Sequence, residues 1–240
     1  MKTNRTFALA IIAILCAFTV SAQTADEIIN KHIEATGGQE FLSNLTSVYY
    51  EGTMDVMGME AALKNTTLNG KGTRQDIDIM GSIMTTCYSN NGGWSTNPFM
   101  GSGMPEDMPE AQYNAGKDNI YIGAPFIDFA SKGYTAELTG TENVSGVNAY
   151  KIKMTSPDNV TNTYYFDSET YYMLKSIEQA EMQGSMVDNV MIFSDYQNID
   201  GYLMPCKIDM DMAGGQFFMT LTIKKVELNV PVNDSIFLKQ

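Results

Sequence analysis

Two pairs of carboxylates, Asp76/Asp78 and Asp209/Asp211, are the tidiest candidates for chemistry in this sequence. Residues two apart on a strand share a face, so either pair could hold a cation or divide acid and base roles. Ile77, Ile79, Met210 and Met212 fill the alternate positions, the pattern of a strand whose polar face meets water. His32, the single histidine, falls on or beside an apolar helical face with no partner near it in sequence, which suits packing better than proton transfer. Gly101-Ser102-Gly103 lacks the Lys-Ser/Thr that completes a phosphate cradle, and no serine stands in a nucleophile elbow. No catalytic residue, metal-ligand set or cofactor motif is assigned. Together these absences favour a binding protein over an enzyme.

The elements around those residues belong to an exported chain. Lys2 and Arg5 precede an apolar run from Phe7 to Val20, and Val20-Ser21-Ala22 supplies small residues before Gln23, so residues 1–22 have the form of a cleaved signal peptide. The run is shorter than the roughly 20 residues a membrane span needs. Leu15 stands before Cys16 where a lipoprotein leader carries a small residue, which argues against a lipid anchor. Without Lys2 and Arg5 the formal charge moves from −13 to −15. Such a chain lacks the positive footprint of a nucleic-acid binder and is repelled by anionic membrane surfaces. No second hydrophobic stretch approaches membrane length, so the mature chain carries no transmembrane segment, and the periplasm is the expected location.

The remaining 23–240 are expected to form one domain. Thr24 and Glu27 make a capping box, Ile28, Ile29, His32 and Ile33 recur at helical spacing, and Gly37-Gly38 ends the helix. A short turn of helix follows at 40–45. The pattern then changes to period two at 48–56, with Gly58, Asn69-Gly70, Gly81 and Asn90 to Gly93 as turns. Further strand-like runs cover 134–141, 149–155, 161–166, 172–178, 186–196, 202–212 and 216–226. That makes roughly eleven antiparallel strands. The segment 99–132 interrupts them and ends in Ala124-Pro125-Phe126-Ile127-Asp128-Phe129, where Pro125 suits the first turn of a short helix. A long apolar insertion of this kind is expected to be a lid or binding loop.

Cys87 and Cys206 could pair after export or stay as buried thiols; their spacing decides neither. Methionine is the positive signal, 18 in all, on the strands and in the insertion alike. Its flexible thioether suits a surface that must accept apolar partners of variable shape. Trp94, Pro125, Phe126, Phe129, Met80 and Met84 are therefore the candidate ligand contacts of an apolar cavity under a lid.

The chain also resembles the LolA/LolB-like lipoprotein carriers, in particular the exported outer membrane lipoprotein-sorting proteins of Bacteroidetes-type bacteria. The segment TADEIINKHIEATGGQEFLSNLTSVYYEG is similar to the start of that group, a helix, a Gly-Gly stop, a short helix and the first strand. Asn91-Gly92-Gly93-Trp94 with Asn97-Pro98 is similar to the family's Asp-Gly…Trp…Pro hairpin, and Ala124 to Ile127 to its Pro-Phe lid helix. Phe166 to Thr170 and Asp195-Tyr196…Asp200-Gly201…Pro205 look like two of its later turns and strand pairs. The resemblance covers nearly all of 24–240. It implies a curved antiparallel half-barrel, α+β in class, with short helices over its concave apolar face, and a cavity that shields acyl chains. The enteric carrier uses an arginine near its cavity mouth; no quoted motif places Arg74 there, and that role is not carried over.

The expected function is non-enzymatic binding or carriage of a lipid, or of the acyl chains of a lipoprotein, with an envelope acceptor protein as a partner for release. Competing readings are a structural or interaction domain of the envelope without a transported ligand, and an exported hydrolase using the aspartate pairs. Purification of the exported protein followed by N-terminal sequencing should give Gln23 as the first residue. A start at an acylated Cys16 would refute the leader reading.

Overall fold

In the computed structural model, residues 23–56, 58–99, 103–182 and 185–239 are described. The leader with its cleavage residue Ala22 lies outside them, as do Met57, Met100, Gly101 and Ser102.

The first helix, α1 (Ala25–Ala35), forms where expected. Thr24 Oγ1 accepts from the Glu27 amide at 3.2 Å while the Glu27 carboxylate accepts from the Thr24 amide at 3.0 Å, which satisfies two of the amides a helix start leaves open. Asp26 and Glu27 place negative charge at its N-terminal dipole. Ile28, Ile29, His32 and Ile33 are buried along one face. Gly37 and Gly38 end the helix, and α2 (Gln39–Asn44) follows directly.

Thirteen strands then form one antiparallel sheet. They are β1 (Ser47–Val56), β2 (Met59–Leu68), β3 (Gly72–Ile79), β4 (Ser82–Ser89), β5 (Gly92–Thr96), β6 (Glu106–Asp107), β7 (Thr135–Val144), β8 (Val147–Thr155), β9 (Thr161–Asp167), β10 (Met173–Met182), β11 (Ser185–Ile199), β12 (Tyr202–Met212) and β13 (Phe217–Leu228). Their order in the sheet is β6-β5-β4-β3-β2-β1-β13-β12-β11-β10-β9-β8-β7. The first six strands and the last seven are thus two meanders joined where β13 returns to β1. The sheet is open, and its thirteen strands exceed the roughly eleven expected. The two-residue β6 is too short to carry a period and sits inside the segment taken as an insertion.

That insertion is not the expected lid helix at Pro125. It holds β6, a short helix α3 (Glu110–Gly116), a 3₁₀ turn over Lys117–Ile120, and then consecutive turns to 133. Phe126 and Ile127 both donate to the Gly123 carbonyl, but Asp128 takes a left-handed φ of 55° that no right-handed helix tolerates. The segment is tied down at both ends. Gly70 N donates to the Ile120 carbonyl at 2.8 Å, Ile122 N donates to Asn69 Oδ1 at 3.0 Å, and Gln39 Nε2 donates to Asp128 Oδ1 at 2.7 Å.

The main core cluster shows that the sheet is curved. Ile28, Ile29 and Ile33 of α1 share it with Val48 of β1 and with Ile152, Met154, Tyr164 and Phe166 of β8 and β9. β1 and β8 stand six positions apart in the sheet, about 29 Å if it were flat. Bulges where β1 meets β13, β9 meets β10 and β7 meets β8 locally bend the strands and help the sheet to wrap α1.

Gly52 marks the tightest of these places. A Cβ there would stand 2.2 Å from the Thr222 carbonyl oxygen of β13, a backbone atom that cannot swing away. Gly52→Ala should therefore destabilise the protein at the upper end of the ~1–3 kcal/mol seen for overpacking, measured by urea unfolding. A loss below about 0.5 kcal/mol would show that β1 and β13 do not pair in this register.

Candidate functional site

The inner face of the sheet follows from the strand registers. On β2 to β4 the inward residues are Asn65, Thr67, Thr73, Gln75, Thr86 and Tyr88, and they line a cleft of about 410 Å³. Val48 and Tyr50 of β1, Tyr202 and Met204 of β12, and the stretch from Tyr121 to Ala124 complete its walls. A second cavity of about 140 Å³ lies against β8 to β11, lined by Met154, Met173, Met191 and Phe193 with Pro125 and Phe126 as part of its wall. Asn119 and Ala124 line both, so the two are neighbouring compartments on either side of the same stretch of chain.

The larger compartment is more polar than the apolar cavity expected. Thr67 and Thr73 hydroxyls bond to each other at 2.9 Å across β2 and β3, and Asn65 Nδ2 donates to Thr67 Oγ1 at 3.2 Å. Burial pushes the Tyr50 phenol up to about 12, against a hydrogen bond with Gln75 that lowers it, so the phenol stays neutral. The sequence pattern places turns around these strands but singles out none of these polar residues as a cavity wall. The sheet's curvature turns that row inward, and local sequence carries no sign of curvature.

Of the six candidate contacts, Pro125 and Phe126 lie at a cavity. Phe126 is also core, packed edge-on to His32, Tyr164 and Phe166 with centroids 5.0 to 5.4 Å apart. Phe129 is buried in the same cluster and lines neither compartment. Met84 is half-buried on β4 and also lines neither, while Met80, 93% exposed, sits at the tip of the β3–β4 turn. The methionines at the cavities are instead Met154, Met173, Met191 and Met204.

Trp94 faces away from the cleft. It pairs with Cys87, and Thr86, one residue earlier on β4, points inward, so Cys87 and Trp94 point out. There the chain's last turn covers them: Trp94 Nε1 donates to the Phe237 carbonyl at 2.8 Å. Arg74 shares that outer face, with Nε on Asp76 at 3.0 Å and a terminal guanidinium nitrogen on the Ile236 carbonyl. Cys206 belongs instead to an inner-face cluster with Met54, Leu63 and Leu221, so the two cysteines are buried free thiols on opposite faces. Desolvation pushes the Cys87 thiol up to about 12.

Three of the four paired aspartates are outer-face ties, while Asp211 Oδ1 is buried without a hydrogen-bond partner among the described residues. Asp76 also accepts from Thr85 Oγ1 at 2.6 Å, Asp78 accepts from the Gly81 amide in a turn, and Asp209 accepts from Thr220 Oγ1 and pairs with Lys207. Among the described residues, no three His, Cys, Asp or Glu side chains converge as metal ligands, and no helix is long and apolar enough to cross a membrane.

With this geometry in place, solved structures can be compared. A LolA superfamily protein from Nitrosomonas europaea superposes with a TM-score of 0.60 at 16% identity, covering 91% of this chain and 99% of its own. The chain has the LolA fold. An outer membrane lipoprotein-sorting protein domain from Vibrio parahaemolyticus gives 0.59 at 14% identity, over 89% and 95% of the two chains. A DUF1329 family protein from Desulfovibrio piger gives 0.61 at 13%, over 90% and 98%. A family model described only as an uncharacterized protein matches residues 127–240. No curated protein matches the chain.

His32 closes the apolar end. Its Nδ1 lies 2.9 Å from the Tyr171 carbonyl, which can only accept, so Nδ1 carries the proton of a neutral ring. Burial pushes its pKa down to about 4. The unfolded chain takes up that proton near pH 6.5, so this site's contribution to stability is complete above that pH and is lost on acidification towards pH 4. Being the single imidazole, it can be followed directly by NMR. Its ring protons should not titrate above pH 5; a midpoint near 6.5 would mean the ring is solvated. Trp94 emission should already be that of a buried indole and stay constant when ligand enters the cleft.

Proposed function

We propose that the protein is an exported carrier that holds the chain of a lipid, or of an acylated protein, in this cleft. The observation that carries the reading is the pair of compartments between the inner face and the 117–130 segment. The larger one, about 410 Å³, is within the range of small-molecule sites. The smaller one supplies the apolar surface, four of its walls being Met154, Met173, Met191 and Phe193. Each methylene buried there would contribute about 0.8 kcal/mol before the cost of parting the walls. The hydroxyl and amide rows on β2 to β4 make the larger compartment polar, which suits a molecule with polar as well as apolar parts. The LolA fold supports this reading, as does the sequence of residues 1–22, which has the form of an export leader. Release would depend on an acceptor that offers the chain a better site, because affinity alone gives no direction.

Thr86→Trp tests the cleft without touching the core, since Thr86 is a half-buried strand residue on the wall of the larger compartment. A fluorescent probe bearing a dodecyl chain should bind the wild type with micromolar affinity or better. The variant should bind at least tenfold more weakly at an unchanged unfolding midpoint. No binding by the wild type, or equal binding by a folded variant, would favour an envelope structural domain.

A further inference from the structure

The smaller compartment contains two buried side-chain atoms that have no hydrogen-bond partner among the described residues, with a carboxyl group beside them. Asn162 Oδ1 and Ser176 Oγ are buried and make no hydrogen bond with any protein group. Ser176 itself is 1% exposed. Glu178 lines the same compartment with no basic side chain beside it. The register groups them closely: Glu178 stands directly opposite Asn162 across β9 and β10, and Ser176 is two residues along β10 on the same face. The patch is therefore about 7 Å long. Three other polar groups here are engaged. Asp118 accepts from Tyr134, Ser156 Oγ accepts from the Val160 amide, and Asn114 Oδ1 accepts from Lys117.

The open groups are mostly acceptors. Among the described residues no Lys, Arg or His lines either compartment to offset the Glu178 carboxylate. Burial raises its pKa, as expected for a carboxyl that lacks a cation. An entering headgroup that donates hydrogen bonds and carries positive charge would satisfy all three. A carboxylate or phosphate headgroup would meet Glu178 as a like charge, in a chain whose formal charge is already −13. The immediate neighbours Met154, Met173, Met191, Phe126 and Phe193 offer only apolar surface to the rest of such a molecule.

We propose that the β9–β10 end of the cleft is a headgroup subsite for an amine-bearing single-chain amphiphile, its ammonium held by Glu178, Asn162 Oδ1 and Ser176 Oγ. The assignment rests on the carrier reading and narrows it to one class of ligand.

Three probes of one chain length separate the two ideas: dodecylamine, dodecanol and dodecanoate, titrated calorimetrically below their micelle concentrations in physiological salt. The amine should bind one per chain and at least tenfold more tightly than the carboxylate, with the alcohol between them. Glu178→Gln should weaken the amine about tenfold and leave the alcohol within twofold. The ranking on the wild-type protein decides the matter even if the variant fails to fold. Equal or tighter binding of dodecanoate overturns the subsite while leaving carriage intact. So does amine binding at several per chain that persists in Glu178→Gln, which marks general attraction to an acidic surface. If none of the three binds, the subsite and the carrier reading both fail.

Discussion

Everything in this molecule depends on burying one helix face against two distant parts of a single sheet. Ile28 and Ile29 are fully enclosed and Ile33 is buried beside them, and the cluster they share takes residues from β1 on one side and β8–β9 on the other. A flat sheet cannot bring those strands together. Burial of large aliphatic side chains, about 1.5–3 kcal/mol each, therefore favours curvature, with the bulges as the points that yield. Curvature then creates the cleft: the space that α1 does not fill is left between the inner face and the tied-down 117–130 segment.

The same constraint divides the two walls. On β2 to β4 the inward rows are threonine, asparagine and glutamine, held to one another by hydroxyl and amide contacts. On β11 to β13 a row runs through Met191, Met210 and Met219, which are cross-strand neighbours in the register. Met191 also pairs with Ser176 of β10, so the apolar row leads directly to the β9–β10 patch. A polar wall facing an apolar floor suits an amphiphile better than a bare hydrocarbon. It also explains why methionine count alone did not locate the site.

Much of the fold was legible in the sequence because its signals are local. The capping box at Thr24 and Glu27, the Gly37-Gly38 stop and the period-two runs from Val48 onward each depend on neighbours within a few residues, and each appears in the structure. The site was legible only in part. Pro125 and Phe126, which line a cavity, stood out in the sequence because they lie in an apolar insertion between strands. Trp94, Phe129, Met80 and Met84 line neither compartment, because composition shows what a cavity could be made of but not which way a side chain points. Trp94's orientation depends on its pairing with Cys87 and on a C-terminal turn more than 130 residues away. Ser176 and Glu178 gave no signal, since an unpartnered buried group is a property of the assembled sheet.

The central claim is that this curved sheet encloses a molecule rather than a closed core. Lipid mass spectrometry on the protein purified from its native envelope under detergent-free conditions tests it most directly. The account predicts an amphiphile recovered at about one per chain and lost from Thr86→Trp. Recovery of no lipid above the level of an unrelated exported protein, from a sample that is folded and monodisperse, would contradict it.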